Sequence, residues 1–355
     1  MTLELRQVTK RVGAETHIYE TSVAFREEGF NVLLGTTLAG KTSLMHLMAG
    51  LERPTSGEVW FDGRNVTGVS VQKRNVSMVH QQFINYPNFT VFENIASPLR
   101  VARLRGDEIK RRVGEVAEML RLTPMLDRKP SELSGGQQQR TALARALVKE
   151  SDVMLLDEPL ANLDYKLREE LRDELPRLFH DRGCTVIYAT SEPTEALLLG
   201  GCTATMHEGR ITQFGETARV YREPADLVSA RVFSDPPINS ASVIKQGGQF
   251  ALSDAVAWPA TGDQQALPDG RYIVAIRPHH VTPFSRGNGG VRVDGRVLVT
   301  ELSGSESVVH FELEGQTWIS QSHGIHAFEV GAHAAFHLDT ARCLYFGEDD
   351  RRLAA

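Results

Sequence analysis

The chain contains, at residues 30–51, the stretch FNVLLGTTLAGKTSLMHLMAGL, in which an apolar run leads through a glycine-containing turn into a segment with helical spacing. The turn GTTLAGKT (35–42) matches the pattern G-x-x-x-x-G-K-[ST], which is meaningful when a strand precedes it and a helix follows. Gly35 and Gly40 allow backbone angles at which N–H groups wrap a phosphate, and the helix N-terminus adds partial positive charge. The stretch therefore predicts a nucleotide phosphate loop in an α/β fold; the alternative is a chance glycine-rich turn.

The predicted loop implies ATP and Mg²⁺ as ligands. We expect the Lys41 ammonium to reach the β- and γ-phosphates and the Thr42 hydroxyl to ligate Mg²⁺, with Ser43 beside it. The four residues between the two glycines complete the phosphate-binding set: Thr36, Thr37, Leu38 and Ala39.

A second apolar run, VMLLDEP (153–159), ends in two acids. We interpret it as a buried strand that places Asp157 where it holds Mg²⁺ through water. Glu158 is then the residue that orients or deprotonates the attacking water. Alone, such a run more often marks a strand end and a helix cap. Together with the phosphate loop, it favours an ATPase site.

A third motif, LSGGQQQR (133–140), opens a helical segment. Ser134, Gly135 and Gly136, followed by Gln137, present hydroxyl and backbone N–H donors at a helix N-terminus, which is a second anion site. One γ-phosphate is already served by the first loop. The sequence therefore predicts that two nucleotide-bound chains face each other, each supplying this motif to the ATP of the other.

The bulk composition limits the alternatives. The 355 residues suggest two or three domains, and the net charge of −6 argues against a nucleic-acid partner. The three cysteines have no metal-like spacing, which is typical of a reduced compartment. The sequence has no apolar signal core at its start and no run of about 18 apolar residues that would predict a membrane span.

The pattern of segments changes near residue 235. Before it, strand-like runs alternate with helix-like ones, which predicts a mostly parallel sheet with helices around it. After SDPPINS (234–240), which we interpret as a linker, short β runs alternate with turn residues. We expect a separate small β domain over 236–355, plausibly a barrel.

The three motifs, in this order, resemble the ATP-binding subunits of ABC transporters over residues 1 to about 235. The resemblance implies a RecA-like P-loop domain over 1–235, with a helical subdomain at about 84–150 that carries LSGGQ. It also implies that the tail is an OB-like TOBE domain. IRPHHV (276–281) and GSESVVHFEL (304–313) are similar to that domain in importers of maltose, glycerol phosphate and related polyols. The amino-acid sequence of the first motif is most similar to that found in glycerol-importer subunits that work as unequal pairs.

The same resemblance assigns further residues and partners. Gln81, in SMVHQQFINYP (77–87), matches the glutamine that senses Mg²⁺ and contacts the transmembrane partner, and Asp164 matches the D-loop aspartate. The aromatic and apolar residues after Gln81 would line a groove for the permease, unless they are local packing: Phe83, Ile84, Tyr86 and Pro87. The implied partners are a second ATP-binding subunit, two transmembrane permease subunits and, indirectly, an extracytoplasmic solute-binding protein. The implied location is the cytoplasmic face of the inner membrane.

Several positions depart from the family pattern. The family ends its switch strand with a histidine that contacts the γ-phosphate, and this chain has Ser191. Losing one preorganised donor of this kind typically costs about 10²–10³ in rate. Val12 stands where an adenine-stacking aromatic is usual, with Tyr19 or His17 as substitutes. The inner glycine of the phosphate loop is Leu38, and the D-loop serine is Ala161.

These departures favour an asymmetric heterodimer in which this chain binds ATP at a slow site and its LSGGQ completes the strong site of a distinct ATPase. Two alternatives stay open. One is an ordinary homodimer in which Ser191 is adequate, and the other is a regulatory module that binds nucleotide with little hydrolysis. An ABC ATPase of DNA repair or translation fits poorly, because the chain has one cassette and no heptad run. His279 and His280 lack a third ligand at metal-site spacing.

Overall fold

The computed structural model describes residues 2–161, 163–180, 183–285 and 290–353. The chain divides into two compact units, Met1–Val220 and Tyr221–Ala355. The domain boundary that the sequence predicts at 235/236 stays a prediction. Each unit is described by itself below.

The described part of the first unit alternates strands and helices. Its strands are β1 (Leu3–Val12), β2 (Glu15–Ala24), β3 (Gly29–Gly35), β4 (Ser56–Phe61), β5 (Arg64–Asn65), β6 (Val76–Val79), β7 (Val153–Asp157), β8 (Thr185–Thr190), β9 (Cys202–His207) and β10 (Arg210–Glu216). Its helices are α1 (Lys41–Ala49), α2 (Val91–Val101), α3 (Gly106–Met119), α4 (Gly135–Leu147), α5 (Tyr165–His180), α6 (Pro193–Leu199) and α7 (Thr217–Arg222), the last of which continues past residue 220.

One sheet has the strand order β10-β9-β3-β8-β7-β6, and all neighbours pair in parallel except β10 with β9. β3, β7 and β8 are almost fully buried, as their near-continuous apolar sequences predict. The carboxyl ends of β3, β6, β7 and β8 lie at one edge of the sheet, where open α/β folds bind ligands. This edge therefore gathers the phosphate loop, Gln81, Asp157 and Ser191.

A second sheet, of order β2-β1-β4-β5, is antiparallel. The apolar runs of the sequence did not predict its strands. The apolar residues of β1 and β4, Leu3, Leu5, Val8 and Val59, are fully buried or nearly so, in one cluster with Leu44 and other residues of α1. This sheet thus packs on the helix that begins at the phosphate loop.

The helical segment predicted at about 84–150 contains α2, α3 and α4, which pack on one another. α2 begins with a capping box, in which Thr90 Oγ1 accepts from the Glu93 N–H and Glu93 accepts from the Thr90 N–H. Such a cap satisfies backbone donors that the first helical turn leaves unpaired. Asn94, fully buried, binds the loop that precedes the helix through Tyr86.

The described part of the second unit is mainly β. It comprises α8 (Leu227–Val232), β11 (Asn239–Gln246), β12 (Gln249–Ala251), β13 (Ala257–Pro259), β14 (Gly270–Ile276), β15 (Val281–Thr282), β16 (Gly290–Leu302), β17 (Glu306–Leu313), β18 (Gln316–His323), β19 (His333–Asp339) and β20 (Leu344–Phe346). The strands form two antiparallel sheets, of orders β13-β12-β11-β14-β20 and β15-β19-β16-β17-β18.

Both sheets of the second unit share one apolar core, which the stacked rings of Phe311 and Phe336 help to fill. The indole N–H of Trp258 donates to the Tyr345 hydroxyl inside this core. The arrangement is a barrel-like, all-antiparallel domain, which confirms the predicted OB-like tail. His279 and His280 lie with ring centroids 4.2 Å apart, and no cluster of three metal-ligating side chains occurs in the described residues.

Two further expectations concern the whole chain. Cys184, Cys202 and Cys343 are thiols and form no disulfide with one another. Among the residues that the structure describes, no helix is both long enough and apolar enough to cross a membrane.

Candidate active site

A pocket of about 660 Å³ lies at the carboxyl edge of the parallel sheet. Its lining combines residues 37–43 of the phosphate loop and α1 with Gln81 and Glu158. The other wall comes from the start of β2, including His17 and Tyr19, and from the β9–β10 turn, including Glu208 and Gly209. A pocket with a loop of backbone amides at one end and ring side chains at the other has the size and chemistry for a nucleotide.

Three positions of the phosphate loop are under different backbone constraints. Gly35, the last residue of β3, lacks space: an added Cβ would lie 2.6 Å from the Met206 carbonyl oxygen. A glycine is therefore required at position 35 because the Met206 backbone lies so close. The backbone freedom predicted for both glycines is used at Gly40, which has φ 96°. Leu38 also has a left-handed backbone, φ 69°, with an almost fully exposed side chain. A leucine there stores strain that glycine would avoid.

Lys41 is buried at the start of α1 and its ammonium turns back into the loop. Nζ donates to the carbonyl oxygens of Gly35 (2.7 Å) and Thr36 (3.1 Å) and lies 3.5 Å from Glu158 Oε1. Burial lowers the pKa of Lys41, and the charges of Glu158 and Asp157 oppose that shift. Lys41 lines the pocket, so its charge lies next to the position predicted for the phosphates.

Thr42 and Asp157 form an oxygen pair beneath the pocket. Thr42 Oγ1 donates to Asp157 Oδ2 over 2.8 Å, and Asp157 is 2% exposed. Burial raises the pKa of Asp157, and the hydrogen bond from Thr42 lowers it. A hydroxyl and a carboxylate at the end of a parallel strand are hard oxygen donors, the ligand type that Mg²⁺ prefers. The residues present therefore fit the predicted metal.

Glu158 is held above this pair by contacts from three directions. Its backbone N–H donates to the Ala189 carbonyl of β8, and Gln81 Nε2 donates to its Oε2 over 3.1 Å. With Lys41 near the other oxygen, the carboxylate bridges the Gln81 loop and the phosphate loop. Glu158 has φ 47°, a strained backbone of the kind that clusters at functional sites. The side chains of Lys41, Gln81 and Glu158, which the sequence assigns to one site, thus lie next to one another.

The LSGGQ motif lies away from this pocket. Ser134 caps α4: its Oγ accepts from the Gln137 N–H, and Gln137 Oε1 accepts from the Ser134 N–H. Ser134 and Gly135 are exposed and do not line the pocket. An added Cβ at Gly135 would meet no atom within 4 Å. The motif is an open helix N-terminus outside the pocket.

Asp164 has a local structural role. Its Oδ1 accepts from the Leu167 N–H over 3.0 Å, which caps the start of α5. Asp164 is exposed and does not line the pocket. Asn162, which lies between Ala161 and Asp164 in the D-loop, is outside the described residues.

Ser191 is exposed and is not part of the pocket lining. The two residues beside it are fixed: Thr190 Oγ1 donates to Glu195 Oε2 over 2.6 Å, and the Glu192 N–H donates to Thr190 Oγ1 over 3.0 Å. The serine thus stands between two anchored neighbours, with a side chain shorter than the histidine usual there.

The base end of the pocket contains both substitutes that the sequence suggested. His17 and Tyr19 line it, and Val12 does not. The Arg210 guanidinium lies 3.7 Å above the Tyr19 ring centroid. The Gly209 N–H donates to the Ala39 carbonyl, and the Tyr19 N–H donates to the Gly209 carbonyl. These bonds fix the ring wall relative to the phosphate loop.

Of the four residues predicted after Gln81, Tyr86 lines a shallow groove of about 260 Å³, together with Ser97, Val101 and Arg145. Arg145 lies 4.9 Å from the Tyr86 ring centroid and donates to the Ile84 carbonyl. Ile84 and Tyr86 are exposed, which does not match the alternative of local core packing for these two.

Sequence reasoning missed Arg145 and Arg168, which bond to residues outside their own helices. Arg168 joins Leu160, Ala161 and Glu192. Neither arginine belongs to a spacing motif, so only the folded chain reveals their contacts.

Comparison with protein families identifies two regions. Residues 19–161 match the ABC transporter family and residues 274–346 match the TOBE domain.

Three relatives match along most of their length. The sn-glycerol-3-phosphate import ATP-binding protein UgpC of Pectobacterium atrosepticum is 34% identical, over 96% of this chain and 95% of its own. The xylose/arabinose import ATP-binding protein XacK of Haloferax volcanii is 38% identical, over 88% and 84%. The trehalose/maltose import ATP-binding protein MalK of Thermococcus litoralis is 37% identical, over 89% and 90%.

Among solved structures, the ATP-binding cassette MJ0796 in its dimeric, ADP- and Pi-bound post-hydrolysis state is similar. It is 29% identical, with a TM-score of 0.56, over 61% of this chain and 98% of its own. The fold, the phosphate loop with its acidic strand end, and relatives aligned from end to end agree. The chain belongs to the family of ABC transporter ATP-binding subunits and is an ATPase.

Proposed function

We propose that this chain is the ATP-binding subunit of an importer for glycerol phosphate, glycerol or a related polyol or sugar. The names of the relatives support this solute class, since they import sn-glycerol-3-phosphate, xylose and arabinose, or trehalose and maltose. The chain works as a peripheral protein at the cytoplasmic face of the inner membrane. Its partners are two transmembrane permease subunits and, through them, a solute-binding protein. The groove beside Tyr86 and Arg145 is the surface we assign to the permease.

The proposed chemistry uses the residues of the pocket in fixed roles. Lys41 and the amides of residues 36–41 bind the β- and γ-phosphates, and Thr42 with Asp157 holds Mg²⁺, which neutralises phosphate charge when bound. Glu158 accepts a proton from the attacking water, while Gln81 orients its carboxylate over 3.1 Å. His17 and Tyr19 take the base. Phosphoryl transfer depends mostly on such positioning and on electrostatic stabilisation.

A dimer completes the proposed site. Ser134, Gly135, Gly136 and Gln137 of one chain act on the ATP of the other, because they do not line the pocket of their own chain. Asp164 keeps α5 in place near the same interface. ATP therefore closes two subunits on each other, and hydrolysis releases them.

The second subunit is, in this proposal, a distinct ATPase, and this chain holds the weaker site. Ser191 is the observation that carries this step: its short hydroxyl is exposed, whereas Lys41, Asp157, Glu158 and LSGGQ are intact. A serine also cannot carry the positive charge of a histidine. The intact LSGGQ then serves the strong site of the partner.

The test is native mass spectrometry of the transporter purified through a tag on this chain, with its chromosomal neighbours co-expressed. One copy of this chain beside a second ATPase supports the unequal pair. Two copies of this chain and no second ATPase would contradict the unequal pair. Ser191 would then serve both sites of a homodimer. Hydrolysis by the isolated chain separates both from a regulatory module, which binds MgATP with little turnover.

A further inference from the structure

One guanidinium joins two loops of the active site. Arg168, in the first turns of α5, donates through Nε to the Leu160 carbonyl (3.2 Å) and through Nη2 to the Ala161 carbonyl (2.9 Å). Its Nη1 donates to both carboxylate oxygens of Glu192, at 2.8 and 3.2 Å. The carbonyls follow the general base Glu158 in sequence, and Glu192 follows Ser191.

The Ser191 segment has a second anchor on its inner side. The carboxylate of Glu195, 4% exposed, accepts from Thr190 Oγ1 (2.6 Å) and from the Tyr188 hydroxyl (3.1 Å). Thr190 Oγ1 in turn accepts from the Glu192 N–H. The inner anchor thus holds Thr190 and the backbone of Glu192, and the Glu192 carboxylate connects this anchored segment to Arg168.

We propose that Arg168 is a positioning residue that couples the loop after Glu158 to the Ser191 segment, so that the base and the switch position keep one geometry during hydrolysis. This inference rests on the proposed ATPase chemistry of this chain's own site. The ion pair between Arg168 and Glu192, which are 24 residues apart along the chain, links two segments that each adjoin a residue of the proposed site.

Two features distinguish this contact from an ordinary surface ion pair, which contributes little to stability. Arg168 uses all three of its nitrogens, and its side chain is 23% exposed. Its planar, fork-shaped group fixes direction as well as distance, which a lysine does not. A second ion pair on the same helix, Glu169 with Arg172, lies three residues apart on one helix and joins no loops.

The experiment compares Glu192→Gln with the matched control Glu169→Gln, since each removes one half-exposed carboxylate from an arginine pair. The first readout is amide hydrogen exchange of the ATP-free chain, followed in peptides covering residues 158–164, which end before Tyr165, the residue whose hydroxyl also contacts Glu169. We expect Glu192→Gln to speed exchange in these peptides about ten-fold and Glu169→Gln to leave it unchanged. Exchange that changes only around residue 192 overturns the proposal, whatever the chain hydrolyses.

The second readout is phosphate release in a single turnover at this chain's own site, measured in the complete transporter. We expect Arg168→Lys and Glu192→Gln each to lower this single-turnover rate about ten-fold with the half-saturating ATP concentration (KM) within about two-fold, because a small misplacement of reacting groups slows chemistry rather than binding. The double variant should fall no further than either single one. Additive losses, or a rise in KM alone, contradict coupling. If exchange responds as expected but the variants hydrolyse ATP at the wild-type rate, the coupling stands and the assignment of hydrolysis to this site fails.

Discussion

The chemistry at position 191 can be read from one substitution. Ser191 is exposed at the end of β8, and its neighbours Thr190 and Glu192 are already anchored. A longer side chain can therefore extend from a fixed backbone without rebuilding the segment. If the family's histidine is what this site lacks, restoring it should restore hydrolysis.

We expect Ser191→His to raise the hydrolysis rate of this chain's own site by about ten-fold or more, because one preorganised donor is typically worth about 10²–10³ in rate. The measurement is phosphate release in a single turnover. Ser191→Ala is the matched control and should change little. A large loss in Ser191→Ala shows instead that the serine hydroxyl already takes part, as the homodimer alternative requires.

Glu195 gives the fold a pH-dependent weakness. Burial raises the pKa of this carboxyl, and the hydrogen bonds from Thr190 and Tyr188 lower it only in part. The native state therefore holds its proton to higher pH than the unfolded chain does. The resulting cost in stability is absent below the ordinary carboxyl pKa of about 4.5 and grows as pH rises towards the native value.

We expect Glu195→Gln to keep both hydrogen bonds through its amide oxygen and to remove this cost. The variant should gain stability relative to the wild type as pH rises from about 4 to 8, and should be no more stable than wild type at the acid end. Chemical unfolding across that range is the measurement. Glu20→Gln, at an exposed strand position, is the control and should show a flat difference. A flat difference for Glu195→Gln would mean that the carboxylate is not penalised by burial.

At the scale of elements, apolar runs predicted the strands that build the site. β3 and β7 were predicted because strands buried on both faces are continuously apolar. β1 was not, because its alternating residues include exposed charges and its pairing with β2 is irregular. The contacts of Arg168 and Arg145 were also out of reach, since their partners are set by tertiary packing and not by local spacing.

Gly35 and Gly135 differ in how much space surrounds them, and this difference predicts how each tolerates a Cβ. At Gly35 a Cβ would lie 2.6 Å from Met206 O and 2.9 Å from Ala39 Cβ, whereas at Gly135 nothing lies within 4 Å. We expect Gly35→Ala to cost about 1–3 kcal/mol of unfolding free energy, as overpacking does, and Gly135→Ala to cost none. Denaturant unfolding of the two variants measures the difference. Equal losses would mean that the α4 N-terminus is packed within this chain after all.

At the scale of the whole molecule, the proposed pair of ATPases is unequal in a way that two substitutions expose. Glu158→Gln removes the base of this chain's own site while the phosphate loop keeps its ligands. Gly135→Asp places a negative charge at the open N-terminus of α4, where it suits the helix but repels a phosphate brought by a second chain. The first change acts on this chain's ATP, and the second acts on the ATP of the partner.

We expect the unequal pair to respond unequally. In the complete transporter, Gly135→Asp should lower steady-state hydrolysis about a hundred-fold, because it removes anion stabilisation at the strong site, and Glu158→Gln should lower it about two-fold or less. Phosphate release during transport is the measurement, with thermal unfolding to show that both variants fold. In a homodimer each substitution is present in both sites, so the two variants lose activity alike. Comparable losses would therefore place the main hydrolysis in this chain's own pocket, with Ser191 at the switch position.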